Sequence, residues 1–254
     1  MDITDRHEMI LQKLKEEGRV KINDLSALLD VSGVTIRKDL KILEDKKLLF
    51  RTHGGASMSN PYMNERTIDE KEHINAEAKQ KIGKVALNLI KDNDSIIIGS
   101  GTTVYTFANM LHPAKPLTVI TPAVKVTMAL CNRPNVEIVQ LGGIIRPNSS
   151  SVAGTTAENT LGEISSGILF LGVDGIDLDF GLSITNLAEA SLNKKMIESA
   201  QVLVVLADSS KFGKRGLGKV CSLEQVHYII TDSDVPSGVV KALESRDINV
   251  IIAN

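Results

Sequence analysis

Tryptophan is absent from this chain of 254 residues, and phenylalanine and tyrosine together number eight. That scarcity argues against a platform for single-stranded nucleic acid, which stacks bases on aromatic rings. The two cysteines, Cys131 and Cys221, lie far apart in segments of ordinary apolar character. They fit no metal-ligand spacing and are expected to be buried, reduced thiols. His7, His53, His73, His112 and His227 are equally scattered, so neither a metal nor a cofactor is expected. No apolar run approaches the roughly 18 residues that cross a bilayer, and the amino terminus lacks the basic start and apolar stretch of a signal peptide. A cytoplasmic protein with no membrane partner is expected. Net charge is small as well: 29 Lys and Arg against 31 Asp and Glu leave −2, so any affinity for nucleic acid must come from local clustering. Internal repeats and low-complexity tracts are also missing.

With 43% apolar residues the chain can bury a substantial core, and its length suits one or two domains. The pattern divides it into a small domain at 1–57, a linker and the start of a connecting helix at 58–75, and a larger domain at 76–254. Ile10, Leu11 and Leu14 mark a first helix closed by Gly18. Leu25, Ala27, Leu28 and Leu29 mark a second, with Asn23 as its expected cap. In the third, Ser32 is the N-cap and Val34, Ile36, Leu40 and Leu43 form the apolar stripe, which leaves Thr35, Arg37, Lys38 and Lys41 outside the core. Three short helices so spaced suit a helix-turn-helix, whose last helix enters the major groove of duplex DNA. Leu48, Leu49 and Phe50 are compatible with a strand, Arg51, Thr52 and His53 follow, and Gly54-Gly55 permits a sharp reversal near a phosphate backbone. This is the expected wing of a winged helix. Residues 32–60 carry six Lys and Arg against three Asp and Glu, whereas residues 61–254 carry 18 against 21. The positive charge is concentrated where such a motif needs it.

Glu65 to Lys91 reads as one long amphipathic helix. Beyond it, strand-like runs at Ser95 to Ile98, Leu117 to Ile120, Val136 to Leu141, Ile168 to Val173, Val202 to Leu206, Tyr228 to Thr231 and Val250 to Ile252 alternate with helical patterns. The helical ones are Val104 to Leu111, Ala123 to Cys131, Ala157 to Ile164, Ala188 to Ser199 and Ser237 to Ser245. Such alternation predicts an α/β fold with a largely parallel sheet, whose ligand lies at the carboxyl ends of the strands. At the first of those ends, Gly99-Ser100-Gly101-Thr102-Thr103 combines small residues, hydroxyls and a helix start, which suits an anion. The segment lacks the Lys of a phosphate-binding P-loop and the third Gly of a dinucleotide fingerprint. Other strand ends offer Thr121, Gly142, Gly143 with Arg146, Asp174 and Lys211. Arg146 and Lys211 are expected to neutralise a phosphate and Asp174 to accept from hydroxyls, which together describe a site for a small phosphorylated polyol or sugar.

Val31-Ser32 followed by Thr35-Ile36-Arg37-Lys38-Asp39-Leu40, then Arg51-Thr52-His53-Gly54-Gly55-Ala56, resembles the signature of the DeoR family of bacterial regulators of sugar catabolism. The family usually has two arginines where this chain has Arg37-Lys38. Lysine keeps the charge that pairs with phosphate but loses the bidentate fork. The larger part is similar to the same family's effector domain through Gly99 to Thr103, Gly142-Gly143, Phe170 to Gly175, Gly181-Leu182-Ser183 and Asp208 to Gly213. The resemblance implies an isomerase-like sensor of a phosphorylated sugar or related catabolite. It also raises an alternative, a sugar-phosphate isomerase fused to a DNA-binding domain, since Asp174-Gly175-Ile176-Asp177 resembles the isomerase's aspartate loop. Against catalysis, the places of the isomerase's lysine and glutamate base fall on Thr185 and Lys194, with Glu189 close enough to leave that alignment open. No catalytic residue is therefore assigned. The expected protein is a transcription repressor that binds operator DNA as a homodimer or homotetramer, because one winged helix alone has too small a footprint for high specificity.

Overall fold

A computed structural model of the chain describes residues 2–46, 48–52, 54–58, 67–90 and 95–254. Its contacts fall into two compact units, Met1–Asn64 and Glu65–Asn254, so the division lies inside the 58–75 stretch.

The first unit runs α1 (Ile3–Glu17), β1 (Arg19–Lys21), α2 (Ile22–Leu29), α3 (Gly33–Asp45), β2 (Phe50–Thr52) and β3 (Gly55–Ser57). The three strands form an antiparallel sheet in the order β1-β3-β2. Asp2 starts α1 by accepting from the Ile3 amide, and Gly18 ends it in the left-handed region at φ 71°. Asn23 is not the cap of α2: β1 runs straight into the helix, and the Ile22 amide donates to the Gly54 carbonyl at 2.8 Å. The wing thus satisfies a helix-end donor that a side chain was expected to satisfy. Ile10, Leu14, Leu25, Ile36, Leu40 and Leu43 close the core. Val34, expected in that stripe, is 60% exposed, because it lies two positions from Ile36 and so points away from the buried face.

The second unit begins with α4 (Ile68–Glu72) and α5 (Ala76–Ala86). Next come β4 (Ser95–Ile98), α6 (Thr102–Asn109), β5 (Leu117–Thr121), α7 (Val124–Leu130), β6 (Val136–Gln140), β7 (Ile144–Arg146) and β8 (Ser151–Ala153). The chain continues through α8 (Thr155–Leu161), β9 (Ser166–Leu171), β10 (Gly175–Asp177), β11 (Gly181–Ile184), α9 (Leu187–Glu198) and β12 (Ala200–Leu206). It closes with β13 (Gly218–Cys221), β14 (Tyr228–Asp232), α10 (Ser237–Glu244) and β15 (Asn249–Ala253). A parallel sheet of seven strands, ordered β15-β14-β12-β9-β4-β5-β6, carries an apolar core on each face. Its strands are the seven apolar runs of the sequence.

Two features depart from the sequence reading. The β7-β8 hairpin and the small antiparallel sheet β10-β11-β13 were not foreseen, since strands of three or four residues show no usable periodicity. The helix expected from Glu65 to Lys91 is broken between α4 and α5, where Asn75 is left-handed at φ 53°. The Lys79 ammonium, only 3% exposed, donates to the carbonyls of Lys71, Glu72 and Ile74 at the break. It satisfies the acceptors that the ending of α4 leaves over. Cys221 is buried, and burial pushes its thiol up to about 12. Cys131 is exposed at the end of α7, contrary to expectation, because it lies one position past the fully buried Leu130 and so is turned about 100° from the packed face.

Candidate functional site

In the first unit the start of α3 is fixed by Ser32. Its hydroxyl accepts from the Thr35 amide at 3.2 Å and lies 2.9 Å from the Thr35 hydroxyl. Arg37, Lys38 and Lys41 are exposed, and their side chains make no ion pair among the described residues. The acid between these cations is kept off their face: Asp39 is buried, receives Arg6 of α1 through Nε at 2.6 Å and Nη2 at 2.9 Å, and meets His7 Nε2 at 3.2 Å. Burial alone would raise the Asp39 carboxyl, but Arg6 and His7 outweigh it and hold it below the ordinary carboxylate value. The first turns of α3 therefore present Arg37, Lys38 and Lys41 with the intervening acid, Asp39, turned inward.

The wing is less free than its sequence suggests. The Arg51 amide donates to Glu44 Oε1 at 3.0 Å, and its guanidinium stands 3.6 Å from Glu44 Oε2, so this expected phosphate donor is partly engaged on α3. Thr52 is half-buried on β2, and Gly54 is exposed at the turn. Gly55 is buried, and a Cβ there would sit 1.8 Å from the Val20 carbonyl oxygen, so close approach of β1 and β3 requires the glycine. His53 lies outside the described residues.

In the second unit the carboxyl ends of β4 and β9 open onto a cleft, the place where ligands of parallel α/β sheets bind. Ser100, Gly101, Thr102 and Thr103 form one wall, and Asp174 and Lys211 belong to others. Gly101, at φ 122°, turns the chain into α6, so the first amide groups of that helix are available to an anion. The Gly172 position allows the close approach of this loop, since a Cβ there would be 2.9 Å from the Ser100 carbonyl oxygen. The Ser100 hydroxyl is already bonded to that of Ser151, which leaves backbone groups and Thr102 and Thr103 as the loop's donors.

Four expected effector contacts are placed elsewhere. Thr121 is fully buried and accepts from the Ala123 amide at 3.1 Å, a turn cap within the core. Gly142 and Gly143 are exposed and lead into the β7-β8 hairpin, outside the cleft wall. Arg146 sits behind that wall, with Nη1 2.6 Å from Glu189 Oε1, so its charge is directed to a neighbouring acid. Asp177 similarly receives Arg215 at 2.8 Å.

Sequence reasoning missed Lys71, Ile68, Asn148, Ser149 and Asn193, all in the cleft wall, and weighed Glu189, also in it, only as an isomerase's base. Glu189 and Asn193 had a legible signal, an i, i+4 pair of polar residues on one face of α9. Lys71 had none, since α4 reaches the cleft only through the tertiary fold. Lys71 Nζ is 2.9 Å from Asp174 Oδ1, while Thr185 donates to Oδ2 from its amide at 3.1 Å and its hydroxyl at 2.9 Å. Burial would raise the Asp174 carboxyl, but Lys71, Lys211 and Thr185 prevail and hold it low. Lys194, read from the sequence as standing where an isomerase has its base, is exposed and outside the wall, whereas Glu189 is in it. Among the described residues no cluster of three or more His, Cys, Asp or Glu could hold a metal, and no helix is long and apolar enough to cross a membrane.

Comparison with known proteins gives matches over nearly the whole chain. A family model described as the DeoR-like helix-turn-helix domain matches residues 6–61, and one described as the DeoR C terminal sensor domain matches residues 74–233. A protein named "Putative aga operon transcriptional repressor" from Escherichia coli O157:H7 is 36% identical over 98% of this chain and 93% of its own length. The "L-fucose operon activator" of Haemophilus influenzae is 32% identical over 97% of this chain and 99% of its own. Among solved structures, a D-ribose-5-phosphate isomerase in complex with phospho-erythronic acid matches with a TM-score of 0.41 and 18% identity, covering 54% of each chain. That last likeness is too slight to bear on function.

Proposed function

The chain belongs to the DeoR family of DNA-binding transcription regulators, and we propose that it represses carbohydrate-catabolism genes from the cytoplasm under the control of a small phosphorylated sugar or related metabolite. The matched relatives are named as regulators and not as enzymes, which sets aside the isomerase alternative. Repression is the sign carried by the relative at 36% identity. The observation that carries the effector reading is the meeting of the α6 amino terminus, at Ser100 to Thr103, with the Lys211 ammonium in one cleft. The Lys211 ammonium makes no hydrogen bond or ion pair among the described residues, although its charge helps hold the Asp174 and Asp208 carboxyls low, so it can still donate to a ligand anion. Helix-end amides and a cation both reward negative charge, and phosphate is the group that a helix amino terminus commonly binds.

Two copies of the winged helix would read two half-sites, which supports a homodimer or homotetramer on operator DNA. In the DNA complex, Thr35 and Arg37 approach base edges, while Lys38, Lys41 and the Arg51 to Gly55 turn lie along phosphates. Fluorescence anisotropy of duplexes from the promoters of neighbouring carbohydrate genes, titrated with sugars and their phosphates, tests the reading. A phosphorylated sugar should release the DNA and its unphosphorylated parent should not. In Lys211→Ala that release should shift to higher concentrations. An equal response to the parent sugar, or a normal response in Lys211→Ala, would remove the proposed phosphate site.

A further inference from the structure

We infer that Glu189 and Asn193, one turn apart on α9, select the ligand by the part that is not its phosphate, and that this part bears neighbouring hydroxyl groups instead of a carboxylate. The inference rests on the phosphosugar reading of the cleft and adds a determinant of specificity. Asn193 is 6% exposed and lines the cleft, yet its side-chain amide has no hydrogen-bond partner among the described residues. Its amide atoms are not shut away from solvent, and since the residue is otherwise buried and lines the cleft, what reaches them does so from the cleft side. Glu189 is held by Arg146 and Ser149, and both bonds fall on Oε1. Oε2 has no bond among the described residues, although the side chain is only 15% exposed and belongs to the same wall.

The two free groups ask for particular chemistry. Oε2 only accepts, whereas the Asn193 amide both donates and accepts. A hydroxyl donates one bond and accepts others, so two adjacent hydroxyls can satisfy both side chains together. A ligand carboxylate offers acceptors alone and would set like charge against Glu189. Arg146, paired with Oε1, offsets part of that repulsion, so the discrimination rests chiefly on Oε2 finding no donor on a carboxylate.

Isothermal titration of the full-length protein tests this with three probes: inorganic phosphate, sorbitol 6-phosphate and 6-phosphogluconate, the last two differing at the end opposite the phosphate. The wild type should bind the polyol ester about tenfold more tightly than the acid, the scale of one unmatched buried hydrogen bond. Glu189→Gln retains an oxygen for Arg146 and Ser149 but loses the charge, so the ratio should collapse toward unity. Asn193→Ala should weaken the polyol ester by about tenfold. Affinity for inorganic phosphate should be the same in all three proteins. A wild-type preference for the acid, or an unchanged ratio in Glu189→Gln with an unchanged ester affinity in Asn193→Ala, overturns the selection by α9. If the wild type binds neither ester nor phosphate, the phosphosugar reading itself is what fails, whereas retained ester binding that Lys211→Ala weakens isolates any failure to Glu189 and Asn193.

Discussion

Lys71 reaches a residue 103 positions away in sequence, placing its ammonium 2.9 Å from Asp174 Oδ1 in the wall of the cleft. The segment that carries it is clamped at further points: the Ile68 amide donates to the Asn148 carbonyl at 2.7 Å, and the Asn75 amide group to Asp208 Oδ1 at 2.9 Å. Residues 67–75 are thus a strap across the sensor, and they follow directly on the stretch that leads from the DNA-reading unit. A ligand whose hydroxyls compete for Asp174, or whose phosphate competes for Lys71, has to disturb that clamp. Lys71→Met should leave the sheet intact while residues 68–75 exchange amide hydrogens a few fold faster, because a half-exposed ion pair contributes only about 1 kcal/mol. Unchanged exchange in the strap would show that the ion pair does not hold it.

The same pair sets a pH dependence. The Asp174 carboxyl is held below its ordinary 3.8, so the native state favours the charged form. Its contribution is complete above that ordinary value and is lost as pH falls through the lowered one. Thermal melts of the wild type and Asp174→Asn should therefore differ at neutral pH, and the gap should close only below 3.8. A gap that closes at higher pH would mean that Lys71 and Lys211 do not stabilise the carboxylate.

Asp39 predicts a second effect, in the other unit. Removing its charge leaves Arg6, 12% exposed, without its bidentate partner at the α1-α3 contact. Breaking a buried pair in this way costs about 3 kcal/mol or more. Asp39→Asn should lower the melting temperature of the winged helix and weaken binding to every duplex, specific or not, while phosphate binding by the sensor is unaffected. Equal stability of variant and parent would show that the pair is not structural.

How much of this could be read beforehand depended on length of signal. The seven strands of the parallel sheet were visible because each is a short apolar run, buried most completely in the inner strands, and Ser32 was visible as a cap because Gly33 to Asp45 is a long periodic segment. Gly55 was noticed for the wrong reason, since its steric conflict is with Val20, thirty-five positions earlier, and no local pattern reports it. Arg146 looked like a phosphate ligand by type and place, but a cation's role is decided by the acid it faces, and Glu189 comes to it only through the packing of α9 against β8. Lys194, one position beyond the cleft-lining Asn193, is exposed because one step along a helix turns a side chain by about 100°.

The α3 face yields a prediction in which two adjacent cations behave differently. Arg37 has a planar fork suited to a base edge, and Lys38 is a point charge suited to phosphate. Arg37→Ala should cost about 1–3 kcal/mol on the specific duplex and relax one base position. Lys38→Ala should weaken all duplexes alike and reduce the salt slope by roughly one counterion. Mobility shifts on specific and scrambled duplexes at several salt concentrations distinguish the two, and binding left intact by both variants would dismiss α3 as the reading helix.

Lys79 yields the last prediction, because its ammonium does for the break at residues 73–75 what a helical hydrogen bond does elsewhere. Burial lowers its pKa from the ordinary 10.5, which is the signature of a charge placed in a poorly solvated site and compensated locally. The compensation is the ring of carbonyls from Lys71, Glu72 and Ile74, so the charge and the shape of the strap depend on each other. Lys79→Met keeps most of the aliphatic stem but leaves those acceptors unmatched, each costing about 1 kcal/mol or more. The variant should melt earlier, and its fastest-exchanging amides should lie at residues 68–75, where the carbonyls are stranded, and not in α6 or β4. It should also blunt the effector's influence on DNA affinity more than it alters the affinity for inorganic phosphate, since the anion loop at Ser100 to Thr103 draws no bond from Lys79. Stability equal to the wild type, with normal exchange in the strap, would show that the break is held by Asn75 alone.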